Sequence, residues 1–336
     1  MCLSPLHAWY RRPKESFGLK EPFYGRYNNH GITGDIVHVK KLGITFNLRD
    51  AWVDRPVEIP CGKCAECVKK KRSDWANRIY LESKCHDKNC FITLTYNAEN
   101  LPVNDEGKGV LIKNDLVLFM KRLRKELSKR GTFIRFYAVG EYGRRRMRPH
   151  FHLVIFGEDF SFDRKIFRPN GRFLDYVSDV VGRCWTYGYH TVNDFSYSNA
   201  RYIAGYVSKK VSDTTDYEAL GLEKPFHLMS RRRGLGFYYY MKHYKDIFGK
   251  FGARLVIYNG QKAVRVSVPT QFWNWLLQDD EDLYYKAKLA MRLYVKNIPE
   301  RDIAHIISIQ QSFLYRLEHE VRRFEDGEVD LNVQCV

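Results

Sequence analysis

The chain has 336 residues and a formal net charge of +17, from 56 Lys and Arg against 39 Asp and Glu. Its apolar and aromatic fractions, 44% and 15%, argue for a folded protein and exclude a disordered one. So large a positive surplus favours a polyanionic partner, first of all nucleic acid, and no apolar run is long enough to span a bilayer. The N-terminal residues do not resemble a secretory signal, so we expect a reducing cytoplasm, where the eight cysteines are thiols or metal ligands.

The first ninety residues divide into two stretches. Residues 1–59 contain one short strand-like pattern at Ile44–Leu48, and we predict an N-terminal extension without an assigned role. Residues 60–90 form a cysteine-rich, basic lead-in, in which a turn after Pro60 leads into a polar helix at Glu66–Lys84.

Residues 91–215 have the pattern of a single α+β core. A strand at Cys90–Tyr96 precedes a helix with Asn114 as a candidate N-cap and Gly131 as its stop. The remaining predicted elements, in chain order, are strands at Phe133–Val139 and His150–Phe156, a helix near Tyr176–Trp185, a strand near Tyr189–Phe195 and a helix at Asn199–Lys210. This β-α-β-β-α-β order predicts a ferredoxin-like or RRM-like antiparallel sheet with helices on one face.

Residues 216–336 are predicted as a C-terminal hairpin followed by a helical region. Two strands, Leu255–Tyr258 and Ala263–Val268, flank Asn259-Gly260, which is a strong hairpin signal. Amphipathic helices are expected around Thr270–Val295 and Asp302–Phe324.

A candidate metal site is centred on His150 and His152. Alternate residues of a strand share a face, so both imidazoles can bind one divalent ion. Glu141 ends the preceding strand and can meet them across an antiparallel pair. Two imidazoles and a carboxylate with open positions suit Mg²⁺ or Mn²⁺ better than a closed zinc site, although an ordinary strand explains the histidine pair alone equally well.

A second candidate site is the helix that carries Tyr202, Tyr206 and Lys209. Residues four apart share a helix face, so both phenols project together, with the lysine one turn further on. Aromatic pairs on helices are usually core residues, but a lysine on the same stripe fits a phosphate-facing surface. A metal that withdraws charge from a phosphate would help such a phenol to attack it.

The sequence resembles the HUH endonuclease superfamily, and more closely the replication initiators of microvirus-type, gokushovirus-like bacteriophages with single-stranded DNA. The matching segments occur in family order: PCGKCAEC at Pro60–Cys67, FITLTY at Phe91–Tyr96, VGEYG at Val139–Gly143, RPHFHL at Arg148–Leu153 and YIAGYVSK at Tyr202–Lys209. The resemblance implies a rolling-circle initiator that nicks and rejoins single-stranded DNA through a 5′-phosphotyrosine and leaves a 3′-OH primer.

By motif, the resemblance assigns His150, His152 and Glu141 as metal ligands, Tyr206 and Tyr202 as alternating nucleophiles, and Lys209 as an aid to phosphate chemistry. It implies origin DNA, single-stranded or locally melted, as the substrate, and a host helicase and DNA polymerase as partners in the cytoplasm of the bacterial host. The chain has no G-x-x-x-x-G-K-[ST] loop for ATP.

Cys61, Cys64 and Cys67 supply three thiols for a structural Zn²⁺, with Cys85, His86 or Cys90 as a fourth ligand. Free cysteines in a reducing cell are the alternative, and the spacing leaves both open.

Three other functions compete with the phage initiator. A plasmid initiator, relaxase or single-strand transposase would use the same fold. A non-catalytic, zinc-stabilised DNA-binding protein would bind DNA without cleaving it. An RNA-binding module would fit the strand order and the charge, but it leaves the histidines, Glu141 and the tyrosines unexplained.

Overall fold

The computed structural model describes residues 5–11, 44–143, 147–170, 173–212, 215–249, 252–259 and 262–295. The chain forms two compact units, residues 1–68 and 69–336. No helix in these described ranges is long and apolar enough to cross a membrane.

The first unit contains a three-stranded antiparallel sheet in the order β2-β1-β3. Its strands are β1 (Leu6–Arg11), β2 (Ile44–Thr45) and β3 (Ala51–Ile59). The sequence predicted a strand only at Ile44–Leu48, because a charged pair and a proline interrupt the apolar pattern of β3 at 54–56.

The second unit is built on a seven-stranded antiparallel sheet in the order β10-β5-β6-β4-β9-β8-β7. The strands are β4 (Asn89–Tyr96), β5 (Arg135–Tyr142), β6 (Pro149–Phe156), β7 (Arg164–Asn170), β8 (Phe173–Ser178), β9 (Gly188–Asp194) and β10 (Phe226–Met229). The predicted core strands lie at its centre, so the predicted α+β fold class is confirmed.

The described residues form seven α-helices. They are α1 (Ala65–Ser83), α2 (Lys113–Ser128), α3 (Asp179–Cys184), α4 (Tyr197–Ser212), α5 (Phe237–Ile247), α6 (Thr270–Asp279) and α7 (Glu281–Val295). The two helices of the predicted β-α-β-β-α-β order, α2 and α3, pack on one face of the sheet with Ile92, Ala138 and Leu153.

The opposite face of the sheet is covered as well. Strand residues one position away from the first set, such as Tyr137, Val139 and Val154, point to this side because side chains alternate along a strand. They join a core with α4, the second half of α1 and the C-terminal elements. The trailing helix α4 therefore lies across the sheet from α2 and α3.

Three predicted helix boundaries differ from the structure. The helix expected near Tyr176–Trp185 begins at Asp179, because the preceding residues are strand β8 and the Ser178 side chain caps the helix by accepting from the backbone N–H of Val181. Asn114 is not an N-cap, because α2 already begins at Lys113. The single helix expected at Thr270–Val295 is two helices, α6 and α7, because the Asp280 carboxylate accepts from the Leu283 N–H and starts a new helix.

The C-terminal region contains the predicted hairpin. A short strand pair, β11 (Phe248–Gly249) and β12 (Gly252–Ala253), precedes it. The hairpin strands β13 (Leu255–Asn259) and β14 (Lys262–Val266) pair in the expected register, and the turn residue Gly260 lies outside the described residues. The helix predicted at Asp302–Phe324 also lies outside the described residues.

Candidate active site

The register of the central strands brings the predicted metal ligands together. Glu141 on β5 lies directly opposite His150 on β6, and His152 follows two residues later on the same face. On the other side of β6, Thr93 of β4 lies opposite His152. The site is therefore carried by the three central strands.

Glu141, His150 and His152 present their ligand atoms to one another. The Glu141 Oε1 atom lies 3.0 Å from His150 Nε2 and 3.5 Å from His152 Nε2. One ligand atom from each residue falls within a group no wider than 4.8 Å. Glu141 and His152 are buried, at 3% and 7% exposure, so the group is shielded from bulk water.

The hydrogen bonds of His150 indicate that this group is suited to a cation. Its Nδ1 atom lies 3.1 Å from the Arg148 carbonyl oxygen, which can only accept, so Nδ1 must carry a proton. In the neutral ring Nε2 then has a lone pair, and it lies 3.0 Å from the Glu141 carboxylate, which is also an acceptor. Two acceptors at this distance need a proton or a metal ion beside them, and an Nδ1–H···O=C bond is a usual support for an imidazole that binds metal through Nε2.

The tyrosine pair of α4 reaches the same site. The Tyr202 hydroxyl lies 3.1 Å from His152 Nε2, and the Tyr206 hydroxyl donates to the Tyr202 hydroxyl. The ring of Tyr206 stacks on His152, with centroids 5.7 Å apart. Both phenol oxygens and both imidazoles thus form one connected polar group.

Burial dominates the electrostatics of Tyr206. The residue is 7% exposed, and burial, with the neighbouring Tyr202 and Glu141, raises the pKa of its phenol well above the usual value of 10. Tyr206 is therefore a neutral phenol at pH 7. It has to release its proton when its oxygen forms a bond.

Two side chains of α1 anchor the tyrosine helix. Asn77, which is completely buried, accepts from the Tyr197 hydroxyl at 2.8 Å at the start of α4. Arg72 donates from Nε to the Arg201 carbonyl at 3.3 Å, and its guanidinium lies against Gly205 at 3.5 Å from the position of a Cβ. Neither contact was predicted, because no local pattern pairs residues more than a hundred positions apart.

The other basic and aromatic candidates lie in several environments. Lys209 belongs to α4, but its side chain is outside the described residues. Of the run Arg144–Arg148, the structure describes Met147 and Arg148, and the Arg148 guanidinium donates to the Tyr96 carbonyl. Lys69–Lys71 and Arg231–Arg233 are exposed, whereas Tyr240, considered for base stacking, is a core residue.

The cysteines of the lead-in form a second cluster. Sulfur atoms of Cys61, Cys64 and Cys67 lie within 4.8 Å of one another. The residues considered for a fourth ligand have other contacts. The Cys85 thiol donates to the Leu81 carbonyl, His86 contacts Glu82, and Cys90 lies in the core beneath α2 and α3.

Comparison with known proteins gives consistent results. Residues 89–211 match the family model of the replication-associated protein ORF2. Over 286 residues the chain is 32% identical to replication-associated protein ORF2 of Spiroplasma virus 4, covering 84% of this chain and 82% of that protein. It is 27% identical over 274 residues to replication-associated protein VP4 of Bdellovibrio phage phiMH2K, covering 80% of this chain and 81% of that protein.

A third relative is replication-associated protein ORF4 of Chlamydia phage 1, 28% identical over 194 residues, which cover 56% of this chain and 47% of that protein. No solved structure matches the chain. All five site residues, from Glu141 to Tyr206, fall inside the segment that the family model matches.

Proposed function

The chain belongs to the family of bacteriophage replication-associated proteins, and from this membership we propose that it initiates rolling-circle replication by nicking and rejoining single-stranded DNA. The observation that carries the proposal is the contact of the Tyr202 hydroxyl with His152, one of the three clustered metal-ligand candidates. A pair of buried phenols beside a His-His-Glu group has little value for stability alone, because each polar group must be desolvated.

Glu141, His150 and His152 are the residues that would hold the ion, and we propose Mg²⁺ or Mn²⁺. A mixed imidazole and carboxylate set with positions left for water and phosphate suits such hard, octahedral ions. When bound, the ion would withdraw negative charge from the scissile phosphate. We also propose a structural Zn²⁺ at Cys61, Cys64 and Cys67, which takes no part in this chemistry.

In the proposed nicking step, one tyrosine oxygen attacks the scissile phosphorus. A bond forms between the phenol oxygen and phosphorus, the bond from phosphorus to the 3′ oxygen breaks, and the phenol proton ends on that oxygen. The products are a 5′-phosphotyrosine and a free 3′-OH primer. One ester replaces another, so the step needs no ATP.

Two adjacent hydroxyls support a second transfer at the same site. While Tyr206 holds one 5′ end, Tyr202 can attack the next origin, and the newly freed 3′-OH then attacks the first phosphotyrosine and closes the displaced strand. Lys209 follows Tyr206 by three residues and is proposed to stabilise charge on the phosphate.

The proposed substrate is origin DNA that is single-stranded or locally melted. The exposed Lys and Arg segments would contact phosphates, which gives salt-dependent affinity without base selection. A host helicase and DNA polymerase in the bacterial cytoplasm are the proposed partners for unwinding and for extension of the 3′-OH.

The decisive experiment uses origin DNA as a single strand labelled at its 3′ end, with Mn²⁺, on a denaturing gel. We expect the wild type to form a protein–DNA adduct that needs metal. The adduct should vanish in the Tyr202→Phe, Tyr206→Phe double variant and in His152→Ala. It should persist in Tyr189→Phe, a matched control because Tyr189 is 70% exposed on β9.

Each single tyrosine variant, Tyr202→Phe or Tyr206→Phe, should identify which oxygen attacks first, by losing or keeping the adduct. Circular dichroism of every variant verifies that it is folded. A folded wild type that binds origin DNA but forms neither nick nor adduct overturns the proposal and leaves a DNA-binding protein without catalysis.

A further inference from the structure

We propose that Cys61, Cys64 and Cys67 bind one structural Zn²⁺ that fixes the chain between β3 and α1, with a fourth ligand from outside the cluster. The proposal is independent of the nicking function. β3 ends at Ile59, and α1 begins at Ala65. The first two cysteines therefore lie in the connection, and the third lies in the first turn of the helix.

The backbone of the connection is already arranged around the sulfur atoms. The Cys64 N–H donates to Cys61 Sγ at 3.3 Å, a hydrogen bond that favours the thiolate form. Gly62 has a φ of +75°, which allows the chain to turn tightly between these cysteines. The N-terminal end of a helix further stabilises thiolates, and α1 supplies one of 19 residues.

The spacing of the sulfur atoms favours one ion. Zn–S bonds of about 2.3 Å in a tetrahedron place the sulfurs about 3.8 Å apart. The three sulfur atoms already lie within 4.8 Å of one another, so small side-chain rotations suffice. The C-x₂-C-x₂-C spacing also begins an iron–sulfur motif, but there each thiolate binds a different iron, and the sulfurs are held further apart.

The surrounding unit has an apolar core of small side chains in its described part. The buried hydrophobic residues there are Ala8, Ala51, Ala65 and Val68. Leu6, Phe46 and Leu48 are 47%, 62% and 58% exposed. A small unit with such a core gains stability from a metal, since zinc binding to the folded form contributes directly to folding.

The fourth ligand is the open position of the site. Among the described residues, no further His, Cys, Asp or Glu joins the group of three. Three thiolates still bind zinc strongly, and a water molecule or another donor completes the tetrahedron.

The test measures metal directly in full-length protein. We expect reduced, gel-filtered protein to contain one tightly held zinc per chain, by elemental analysis. Replacing zinc with Co²⁺ should give an intense near-ultraviolet thiolate-to-metal band, which imidazole and carboxylate ligands do not produce. Both signals should persist in His152→Ala, which separates this site from the Glu141, His150, His152 group.

Variants assign the ligands. Cys61→Ser and Cys64→Ser should lose the zinc and most of the cobalt band. Cys85→Ser, at an exposed cysteine outside the cluster, should keep both. If the two variants fail to fold, the metal content and cobalt spectrum of the wild type still decide the question. Wild-type protein without a thiolate–cobalt band, or protein with an iron–sulfur absorption, overturns the proposal.

Discussion

At the scale of single residues, the Thr93 hydroxyl holds the ring of His152. Its Oγ1 lies 3.0 Å from His152 Nδ1, while Nε2 of the same ring points to Glu141 and Tyr202. A hydroxyl that accepts the Nδ1 proton selects the tautomer that leaves a lone pair on Nε2. Outer contacts of this kind orient metal-binding imidazoles.

We predict that Thr93→Val weakens Mn²⁺ binding by about tenfold, because the ring loses the partner that fixes its tautomer. Thr93→Ser keeps the hydroxyl and should retain most of the affinity. Isothermal titration of Mn²⁺ into the protein without DNA measures this apart from nicking. Equal affinities for the valine and serine variants would show that the contact is only structural.

The residues of the site differ in how far the sequence could predict them. His150 and His152 follow from strand alternation, and Glu141 from an antiparallel pairing that the register places directly opposite His150. Arg72 and Asn77 could not be found, because their partners on α4 depend on how two distant helices pack. Their own segment indicated only a polar, basic helix.

At the scale of secondary-structure elements, a buried ion pair joins α1, β5 and the segment before α5. The Glu82 carboxylate is fully buried and lies 2.5 Å from Arg135 Nε. It also accepts from the Gly236 N–H at 2.6 Å and contacts His86 at 3.3 Å. Burial pushes the pKa of Glu82 upward, but these partners outweigh burial and hold the pKa below its usual value.

We predict that Glu82→Gln lowers the free energy of unfolding at pH 7 by about 3 kcal/mol, since Arg135 loses its buried partner. A carboxyl with a depressed pKa stabilises the fold above its unfolded pKa, near 4.5, and this contribution disappears as the pH falls through the folded pKa.

Urea unfolding at pH 7 and at lower pH values checks this prediction. The difference between wild type and Glu82→Gln should shrink as the pH falls below the unfolded pKa. Glu126→Gln, at an exposed carboxylate paired with Lys129, is the control and should change little at any pH. A Glu82→Gln deficit that stays constant with pH would contradict the assigned ionisation.

Elements outside the recognised motifs were the hardest to predict. Strands β7 and β8 and helix α5 were missed, although they extend the sheet and fill the second core. The Phe173–Ser178 stretch runs straight into α3 without a turn residue, so its apolar positions were assigned to the helix. Local patterns carry little information where two element types follow one another directly.

At the scale of the whole molecule, the positive charge governs the encounter with DNA. Arg231, Arg232 and Arg233 form an exposed basic run before α5. Phosphate contacts release counterions, so the affinity for a single strand falls linearly on a log–log scale with salt.

We predict that replacing all three arginines with alanine lowers single-strand affinity and makes the salt slope shallower by about 2, if each contacts one phosphate. Fluorescence anisotropy at several salt concentrations, without divalent metal, measures both quantities. Lys165→Ala is the control, because Lys165 is exposed on β7 but paired with Asp179. An unchanged slope in the triple variant would exclude the run from the DNA interface.

The covering of the site from both sides has a consequence for fidelity. Tyr206, Tyr202, His152 and Glu141 are each at most 8% exposed. A phosphodiester touches these atoms only after part of the surrounding protein moves, so every cleavage must be preceded by an opening event. The protein is thus latent by construction. Passing single strands meet a closed surface, and a sequence that stabilises the open form gains access in proportion to how strongly it does so. Choice of target can then be made at opening, before any bond is broken.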